Sequence, residues 1–443
     1  MCNTAFYCMA PVYHIKCYCE ILLVHTGRKE TYMITSKDKK IIQGLAQRYK
    51  ELADDPKCCE RVGRIRKTNA LKPVRPIVWM EEIPWHELNF DGLLDLQCEL
   101  PFAQDMEMFF RKILLRWEYF QADMVVEDHF YIQKSYESTG LGVRVSEDTV
   151  AIDSANHIIS HSYHDVLDTE DKVDLLKPPV ITATPELDRE RMEQANDLLG
   201  GILPVKLRGY SVHHAPWDFI SRLRGVEPIF IDIVDNPELI HKTIGTFEKF
   251  NLSRMKQMEE QGLLDSNLLD IHCTPAYCDD LPETDEKTGA KLKDVWFRGM
   301  AQLFGAVSPR MHDEFDLQYM KEAMAMCGPV YYGCCEPLDK KIYLLKQIPN
   351  MRKIGVSTWA DAVSSAEQIG GNYVYSYKPN PAYVAGTINE QAVKDEIVKV
   401  VEACLRYGCP YDIVLKDTST VSYKVSNLTT WDRAVQEILD KYY

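Results

Sequence analysis

Short runs of β-branched and aromatic residues alternate with helical patterns along this chain, and no other feature limits its possible folds as strongly. Strands that alternate with helices are typical of βα units built around a mostly parallel sheet. Helical patterns lie over 105–120, where apolar residues recur at helical spacing, and over 237–261, where Pro237 suits a first helical turn. The predicted strands are 76–83, 124–132, 205–210, 268–273, 330–334, 353–359, 373–377 and 411–415.

These strands predict an α/β protein whose single domain, over 33–443, is a (β/α)8 barrel of the TIM type. A doubly wound open sheet would alternate in the same way. Its Gly-rich phosphate turn after the first strand is missing, however, and Ile83, Pro84 and Trp85 stand there instead. The polar stretch over 140–174 predicts a small β-hairpin insertion, with strands that include 143–145 and 150–152.

The first 32 residues differ from the rest of the chain. Their pattern is irregular, whereas Met33 is followed by a charged amphipathic run that is typical of a protein start. We therefore expect 1–32 to be a non-native or disordered extension. A signal peptide is the alternative, but 21–24 is too short for its apolar core.

Composition excludes several classes of protein. The chain of 443 residues is 46% hydrophobic and 26% charged, as in ordinary globular proteins, and its net charge of -15 does not suit nucleic-acid binding. No apolar run approaches the roughly 18 residues of a membrane-spanning helix. The 14 cysteines of this large acidic chain favour free thiols or metal ligands over disulfides. We expect a cytoplasmic protein without nucleic-acid or membrane partners, and a homodimer is left open.

The clearest candidate site is the end of the strand at 330–334, since chemistry in such barrels is built where strands end. Cys334, Cys335 and Glu336 stand there, and thiolate and carboxylate donors together suit Zn²⁺. His272, at another strand end, is the nearest candidate for a further ligand. Because adjacent strand residues face opposite sides, we expect only one of the two cysteines to bind the metal. Two packed cysteines are the alternative.

Other strand ends carry candidates for acid–base work and for substrate binding. Asp128 and His129 could act as acid or base with Glu336, or they could form a structural pair. His213 and His214 lie beside an aromatic residue and suit a planar ligand, or they belong to a packed loop. The spacing of Cys273 and Cys278 does not match a zinc knuckle. The predicted substrate-binding residues are Trp79, Glu81, His213, His214 and Lys378.

Several loose motifs, taken in order, resemble a known family over essentially 33–443. They are Pro-Ile-Val-Trp-Met at 76–80, Ala-Asp-Met-Val onward at 122–128, Pro-Trp-Asp at 216–218, Arg-Gly-Val-Glu at 224–227, Asp-Asn-Pro-Glu at 235–238, Ala-Gln at 301–302, Val-Ser-Pro at 307–309 and the Cys334-Cys335 strand. The family is the uroporphyrinogen decarboxylase superfamily, in which decarboxylases stand beside cobalamin-dependent methyltransferases.

The first strand end separates these two branches. True decarboxylases resemble one another in an Arg-Gln-Ala-Gly-Arg stretch whose arginines hold the substrate carboxylates, and here Glu81 and Glu82 begin that stretch. Carboxylates would repel an octa-acidic porphyrinogen, so we expect no turnover of uroporphyrinogen. The alternative activity is a related lyase that acts on a small carboxylic acid, with Lys378, Lys416 and Arg208 as its cations.

Resemblance to the methyltransferase branch implies a different reaction. A methyl group would move between a small methylated substrate and the cobalt of a corrinoid on a separate protein, with assistance from zinc, in anaerobic metabolism. The branch has a His-x-Cys pattern on this strand, from which the chain departs at Tyr332 or Gly333. The metal set expected here is therefore His272, Cys334, Cys335 and Glu336.

Overall fold

The computed structural model describes residues 34–150 and 160–443. The extension expected over 1–32 lies outside these residues. No helix within the described part of the chain is both long and apolar enough to cross a membrane. The strands are β1 (Ile77–Met80), β2 (Phe130–Gln133), β3 (Tyr136–Ser138), β4 (Glu147–Val150), β5 (Ser160–Tyr163), β6 (Ile181–Ala183), β7 (Val205–Arg208), β8 (Val212–His214), β9 (Asp270–Ile271), β10 (Thr274–Pro275), β11 (Phe297–Gly299), β12 (Val330–Tyr332), β13 (Met351–Ser357), β14 (Val374–Lys378) and β15 (Tyr411–Leu415).

Helices separate most of these strands, as the alternating pattern predicts. The helices are α1 (Ser36–Ala53), α2 (Pro56–Asn69), α3 (Pro101–Tyr119), α4 (Glu170–Asp174), α5 (Pro185–Leu199), α6 (Pro216–Arg224), α7 (Val226–Asp235), α8 (Pro237–Glu260), α9 (Pro309–His312), α10 (Gln318–Met326), α11 (Ile342–Leu345), α12 (Ala362–Ile369), α13 (Ala382–Ala385), α14 (Glu390–Tyr407) and α15 (Val425–Tyr442).

A seven-stranded parallel sheet forms the centre of the molecule, with the strand order β1-β15-β14-β13-β12-β11-β8. Its residues are buried along almost every strand, which is the pattern of a parallel sheet covered on both faces. β2 and β7 form a separate parallel pair. The predicted α/β class is therefore confirmed.

The ladders among the described residues do not close this sheet into a barrel, because β1 and β8 remain its edges. Two further backbone hydrogen bonds involve the segments on either side of β2. Before β2, Asp123 N donates to Val78 O of the edge strand β1 at 2.8 Å. After β2, Lys134 N donates to Arg208 O at the end of β7, also at 2.8 Å. Within the described residues the strands thus form a seven-stranded parallel sheet and a neighbouring two-stranded one, and closure into the eight-stranded barrel expected from the sequence is not detected.

The predicted sheet strand at 268–273 is wrong. It contains only β9, a two-residue strand that pairs antiparallel with β10. Leu268 and Ile271 are buried because they pack against Trp296 and Tyr331, so their apolar character reflects packing and not sheet pairing. The strand that enters the sheet is β11, which pairs in parallel with both β8 and β12.

An antiparallel hairpin lies within the predicted insertion at 140–174. β4 pairs with β5, and Glu147 stands opposite Tyr163. The segment 143–145 is not a strand, contrary to the prediction. Val143 and Val145 instead pack against the hydrophobic cluster that contains Trp217.

Long amphipathic helices cover the sheet on the side of β14 and β15. α14 begins where the Asn389 side chain accepts a hydrogen bond from Ala392 N, and it ends at Gly408, whose φ of 70° suits glycine. Its apolar residues Val393, Ile397 and Val401 are buried in the same core as the sheet residues. Because the paired strands are parallel, the ends of β1, β11, β12, β14 and β15 meet at one edge.

Candidate functional site

Three side chains at this edge form a group that could hold a metal ion. One ligand atom from each of His272, Cys273 and Cys334 lies within 4.8 Å of the other two. The two thiols are fully buried, and their Sγ atoms are 4.0 Å apart. Two sulfur donors and an imidazole suit Zn²⁺, which prefers four such donors in a tetrahedral arrangement. Of the four predicted metal ligands, His272 and Cys334 belong to this group, and Cys273 is its third member. We call these three residues the His/Cys/Cys group.

The backbone around this group is held in unusual conformations. Glu82, Cys273 and Asp417 have φ values of 51°, 65° and 56°, in the left-handed region that residues other than glycine rarely adopt. Such conformations cost of order 1–3 kcal/mol each and cluster at functional sites. Their presence in three neighbouring loops supports a functional role for this edge of the sheet.

Gly333 explains how two adjacent cysteines come to lie side by side. β12 ends at Tyr332, and Gly333 has a φ of 102°, so the alternation of a strand no longer applies to the residues that follow. As a result, Cys334 Sγ and Cys335 Sγ are only 3.8 Å apart. Cys334 belongs to the His/Cys/Cys group, whereas Cys335 lies just outside it.

Cys335 is held by two charged side chains from the loop after β15. Its thiol donates to Asp417 Oδ2 at 2.7 Å, and Lys416 Nζ donates to its sulfur at 3.1 Å. The pKa of Cys335 lies well above its ordinary value because of its contact with Cys334 and its burial. The pKa of Cys334 lies well below its ordinary value because of its contacts with the thiols of Cys273 and Cys335. Of the three thiols, Cys334 is the one that ionises most readily.

Glu336, predicted as a ligand and as a catalytic residue, lies outside the metal-capable group. Its carboxylate folds back onto the backbone and accepts from Cys334 N at 2.9 Å and from Ala301 N at 3.2 Å. The side chain is 2% exposed, and burial raises its pKa. Glu336 thus fixes the backbone that carries Cys334.

Two carboxyl groups after β1 brace the same loops. Glu81 accepts from Cys273 N at 2.8 Å and from Trp79 Nε1 at 3.0 Å. Glu82 accepts from Asp417 N at 2.9 Å, and it lies 3.9 Å from His272 Nδ1. Burial raises the pKa of Glu81 to about 7 and that of Glu82 to about 8. The predicted substrate-binding residues Trp79 and Glu81 are therefore bonded to each other and to the loop of Cys273.

Two buried cations hold the carbonyl groups of the loop at 272–273. Arg298 Nε donates to His272 O at 3.0 Å, and Lys378 Nζ donates to Cys273 O and to Ser376 Oγ, each at 2.7 Å. Burial lowers the pKa of Lys378 to about 8. Lys378, predicted to bind substrate, thus supports the loop from within the protein.

His213 and His214, which were predicted to follow the strand at 205–210, lie in β8 and have different surroundings. The His213 ring lies 5.2 Å from the His272 ring in an edge-to-face arrangement. Its Nε2 atom is buried and has no hydrogen-bond partner among the described residues, and burial lowers its pKa well below the ordinary value. His214 instead pairs with Glu248 of α8. Only His213 therefore lies against the candidate site.

Asp128 and His129 pair with each other, and His129 also lies near Glu127. His129 Nδ1 lies 2.9 Å from Asp128 Oδ1, and its Nε2 lies 3.9 Å from Glu127 Oε1. Asp128 is largely exposed, with 81% of its side chain accessible. No hydrogen bond or ion pair within the described ranges links this pair to the His/Cys/Cys group. The arrangement matches the alternative of a structural pair.

Two residues that the sequence analysis did not select stand at the site. Cys273 replaces Cys335 and Glu336 in the metal-capable group, and its position directly after His272 was the available signal. Asp218, at the start of α6, has a pKa well above its ordinary value because of burial and the nearby charge of Glu336. A carboxyl group with a raised pKa is suited to act as a general acid.

Comparisons with known proteins give little further information. No protein-family model matches the chain, and no curated protein matches it. Among solved structures, the chain is similar to a methyltransferase from Methanosarcina mazei, with 12% sequence identity and a TM-score of 0.47. The similarity covers 86% of this chain and 99% of that one. At that level of similarity, activity has to be argued from the site itself.

Proposed function

We propose that the chain is a zinc-assisted methyltransferase that moves a methyl group between a small methylated substrate and the cobalt of a corrinoid on a partner protein. The observation that carries this proposal is the group formed by His272, Cys273 and Cys334. Three soft or borderline donors leave one position for a substrate, as catalytic zinc sites do. Membership of the uroporphyrinogen decarboxylase superfamily, the corrinoid partner, a cytoplasmic location and a role in anaerobic metabolism belong to the same proposal.

A zinc ion bound there would lower the pKa of an acceptor thiol and so favour the thiolate that attacks a methyl group. The chain's own groups keep the donors in place. Lys378 and Arg298 hold the carbonyl groups of Cys273 and His272, and Glu81 holds the amide of Cys273. Fixed donors reduce the reorganisation needed when a substrate binds.

His213 and Asp218 complete the proposed site. His213 is kept neutral by burial, so the ring beside His272 adds no charge that would repel a cation. Burial and the nearby charge of Glu336 raise the pKa of Asp218, which makes it the group proposed to supply the proton that a leaving oxygen or nitrogen of a methyl donor requires.

The alternative lyase has less support, because its three cations are already engaged. Lys378 donates to Cys273 O, Lys416 pairs with Asp417, and Arg208 Nη2 lies 2.7 Å from Glu127 Oε2. A substrate carboxylate would have to displace these partners. Turnover of a small acid without metal would be the sign of this activity.

Metal analysis and a methyl-transfer assay test the proposal. Protein purified without chelator is expected to carry about one equivalent of zinc, and Cys334→Ser to lose most of it, since one donor of a small set is removed. Cys59→Ser is the matched control, because Cys59 is exposed on α2. With methylcobalamin and 2-mercaptoethanol as probes, the zinc-loaded protein should accelerate demethylation, and Cys334→Ser should not.

The two parts of the proposal can fail separately. Far less than one equivalent of zinc in the unmodified protein would contradict the metal centre. A full equivalent of zinc without demethylation of methylcobalamin, either free or on a corrinoid protein, would contradict methyl transfer.

A further inference from the structure

We propose that Cys335 has two positions, one on Asp417 and Lys416 and one on the metal, where it supplies the fourth donor. This inference rests on the metal centre proposed above. It makes the resting centre a closed set of one imidazole and three thiolates, which an incoming substrate has to open by displacing Cys335.

The spacing of the sulfur atoms carries the inference. With metal–sulfur bonds of about 2.3 Å and tetrahedral angles, two thiolates on one zinc ion lie about 3.8 Å apart. Cys334 Sγ lies 3.8 Å from Cys335 Sγ and 4.0 Å from Cys273 Sγ. Both separations match an edge of the tetrahedron, so Cys334 is placed to share a metal with either neighbour.

The backbone at Gly333 already has the conformation that this arrangement of thiols requires. Gly333 has a φ of 102°, and a Cβ atom added there would come within 2.4 Å of Leu338 Cδ1. This turn brings both thiols to the same side of the chain. A continuing strand would have directed Cys335 to the opposite face.

The partners of Cys335 in this structure are suited to release it. Its S–H bond is the donor in a single contact with Asp417 Oδ2 at 2.7 Å, and the sulfur exchanges that contact for the metal. Lys416 Nζ, on a side chain that is 2% exposed, lies 3.1 Å from the sulfur and remains beside Asp417 when the sulfur moves. The proton leaves, one sulfur–metal bond forms, and no electron is transferred.

Exposure distinguishes Cys335 from the other two thiols. Cys273 and Cys334 are fully buried, whereas Cys335 is partly exposed. It is the thiol that an incoming ligand meets first. A displaceable donor at the exposed position gives the substrate access without disturbing the buried pair.

Alkylation by iodoacetamide, followed residue by residue with mass spectrometry, tests the inference on the full chain. Cys335 should be labelled in the chelator-treated protein and at least about tenfold more slowly after zinc is added, since a metal-bound thiolate is a poorer nucleophile. Exposed Cys59 is the internal reference, and its rate should not change.

Cobalt substitution separates coordination from simple shielding of Cys335. The intensity of the thiolate-to-cobalt absorption bands should fall by about one third in Cys335→Ser, because two thiolates remain of three, and it should not change in Cys59→Ser. Unchanged labelling of Cys335 in the zinc-loaded protein, or unchanged cobalt bands in Cys335→Ser, would overturn the inference and leave the metal centre intact. Absence of metal binding in the unmodified protein would overturn both.

Discussion

Gly333 shows at the scale of a single residue how backbone conformation builds the site. The position has a φ of 102°, and an added Cβ atom would also lie 3.3 Å from Gly355 N on the neighbouring strand. No L-residue fits there without strain, because both the conformation and the space are limiting. The turn that brings the two thiols together therefore depends on glycine.

Gly333→Ala is expected to destabilise the protein by about 1–3 kcal/mol, the usual cost of a side chain held at such a φ value. It should also weaken zinc binding, because relief of the strain moves Cys334. Urea unfolding and zinc titration measure the two effects. Gly44→Ala is the control, since Gly44 lies in α1 with no atom near an added Cβ, and a gain of about 0.5–1 kcal/mol is expected there. Equal stability of the two variants would contradict the claim that the backbone conformation at position 333 requires glycine.

Residue types at strand ends predicted part of the site, and backbone geometry explains the remainder. His272 and Cys334 were selected because thiolate and imidazole are metal donors, and the structure brings them together. Cys273 was set aside because its spacing from Cys278 does not match a zinc knuckle, and its place after His272 did not by itself predict its φ of 65° or its contact with Cys334. Glu336 was selected by type, but its carboxylate accepts hydrogen bonds from two backbone amides and lies outside the His/Cys/Cys group.

At the scale of elements, a buried polar network ties three strands to the loop of the site. Lys353 of β13 donates to Asp412 of β15 at 2.8 Å and to Thr274 Oγ1 at 2.7 Å. Ser376 of β14 donates to the other oxygen of Asp412 at 2.5 Å. The Lys353 and Asp412 side chains are 1% and 2% exposed. Removing one of these two charges therefore leaves the other buried without its partner.

Lys353→Met is expected to lower the free energy of unfolding by about 3–5 kcal/mol, the typical cost of breaking a buried ion pair on one side. The double variant Lys353→Met with Asp412→Asn should lose clearly less, because no charge is left uncompensated. Urea unfolding of both variants and the unmodified protein provides the comparison. A double variant that is no more stable than Lys353→Met would contradict the proposed contribution of the ion pair.

The strand pattern was readable where strands are rich in β-branched and aromatic residues, as in β13, β14 and β15. It failed at β11, whose three residues include Arg298, an ordinarily exposed type that is fully buried here. It also failed at 268–273, because an apolar loop packed in the interior has the same composition as a buried strand. Pairing with residues distant in sequence decides whether such a segment is a buried strand or a packed loop, and a local sequence pattern does not contain that information.

At the scale of the whole molecule, the candidate metal group joins distant parts of the chain. Cys273 and Cys334 are 61 residues apart in sequence, and β11, α9 and α10 lie between them. Their side chains come together only when the sheet has formed. An ion that needs both thiols at once binds the folded state and not the unfolded one, so its binding free energy adds to the stability of the whole fold.

Zinc is therefore expected to raise the melting temperature of chelator-treated protein in proportion to the logarithm of its free concentration. The gain is about 2.7 kcal/mol at a free concentration one hundred times the dissociation constant. Scanning calorimetry in zinc buffers measures it. Binding of zinc to the thiols of the unfolded chain would reduce the effect, so Cys334→Ser, which keeps all other thiols, is the matched control and should show little gain. Magnesium should have no effect, because it is a hard ion that thiolates bind weakly. Equal shifts with zinc and magnesium, or a full zinc shift in Cys334→Ser, would show that the His/Cys/Cys group does not bind the ion.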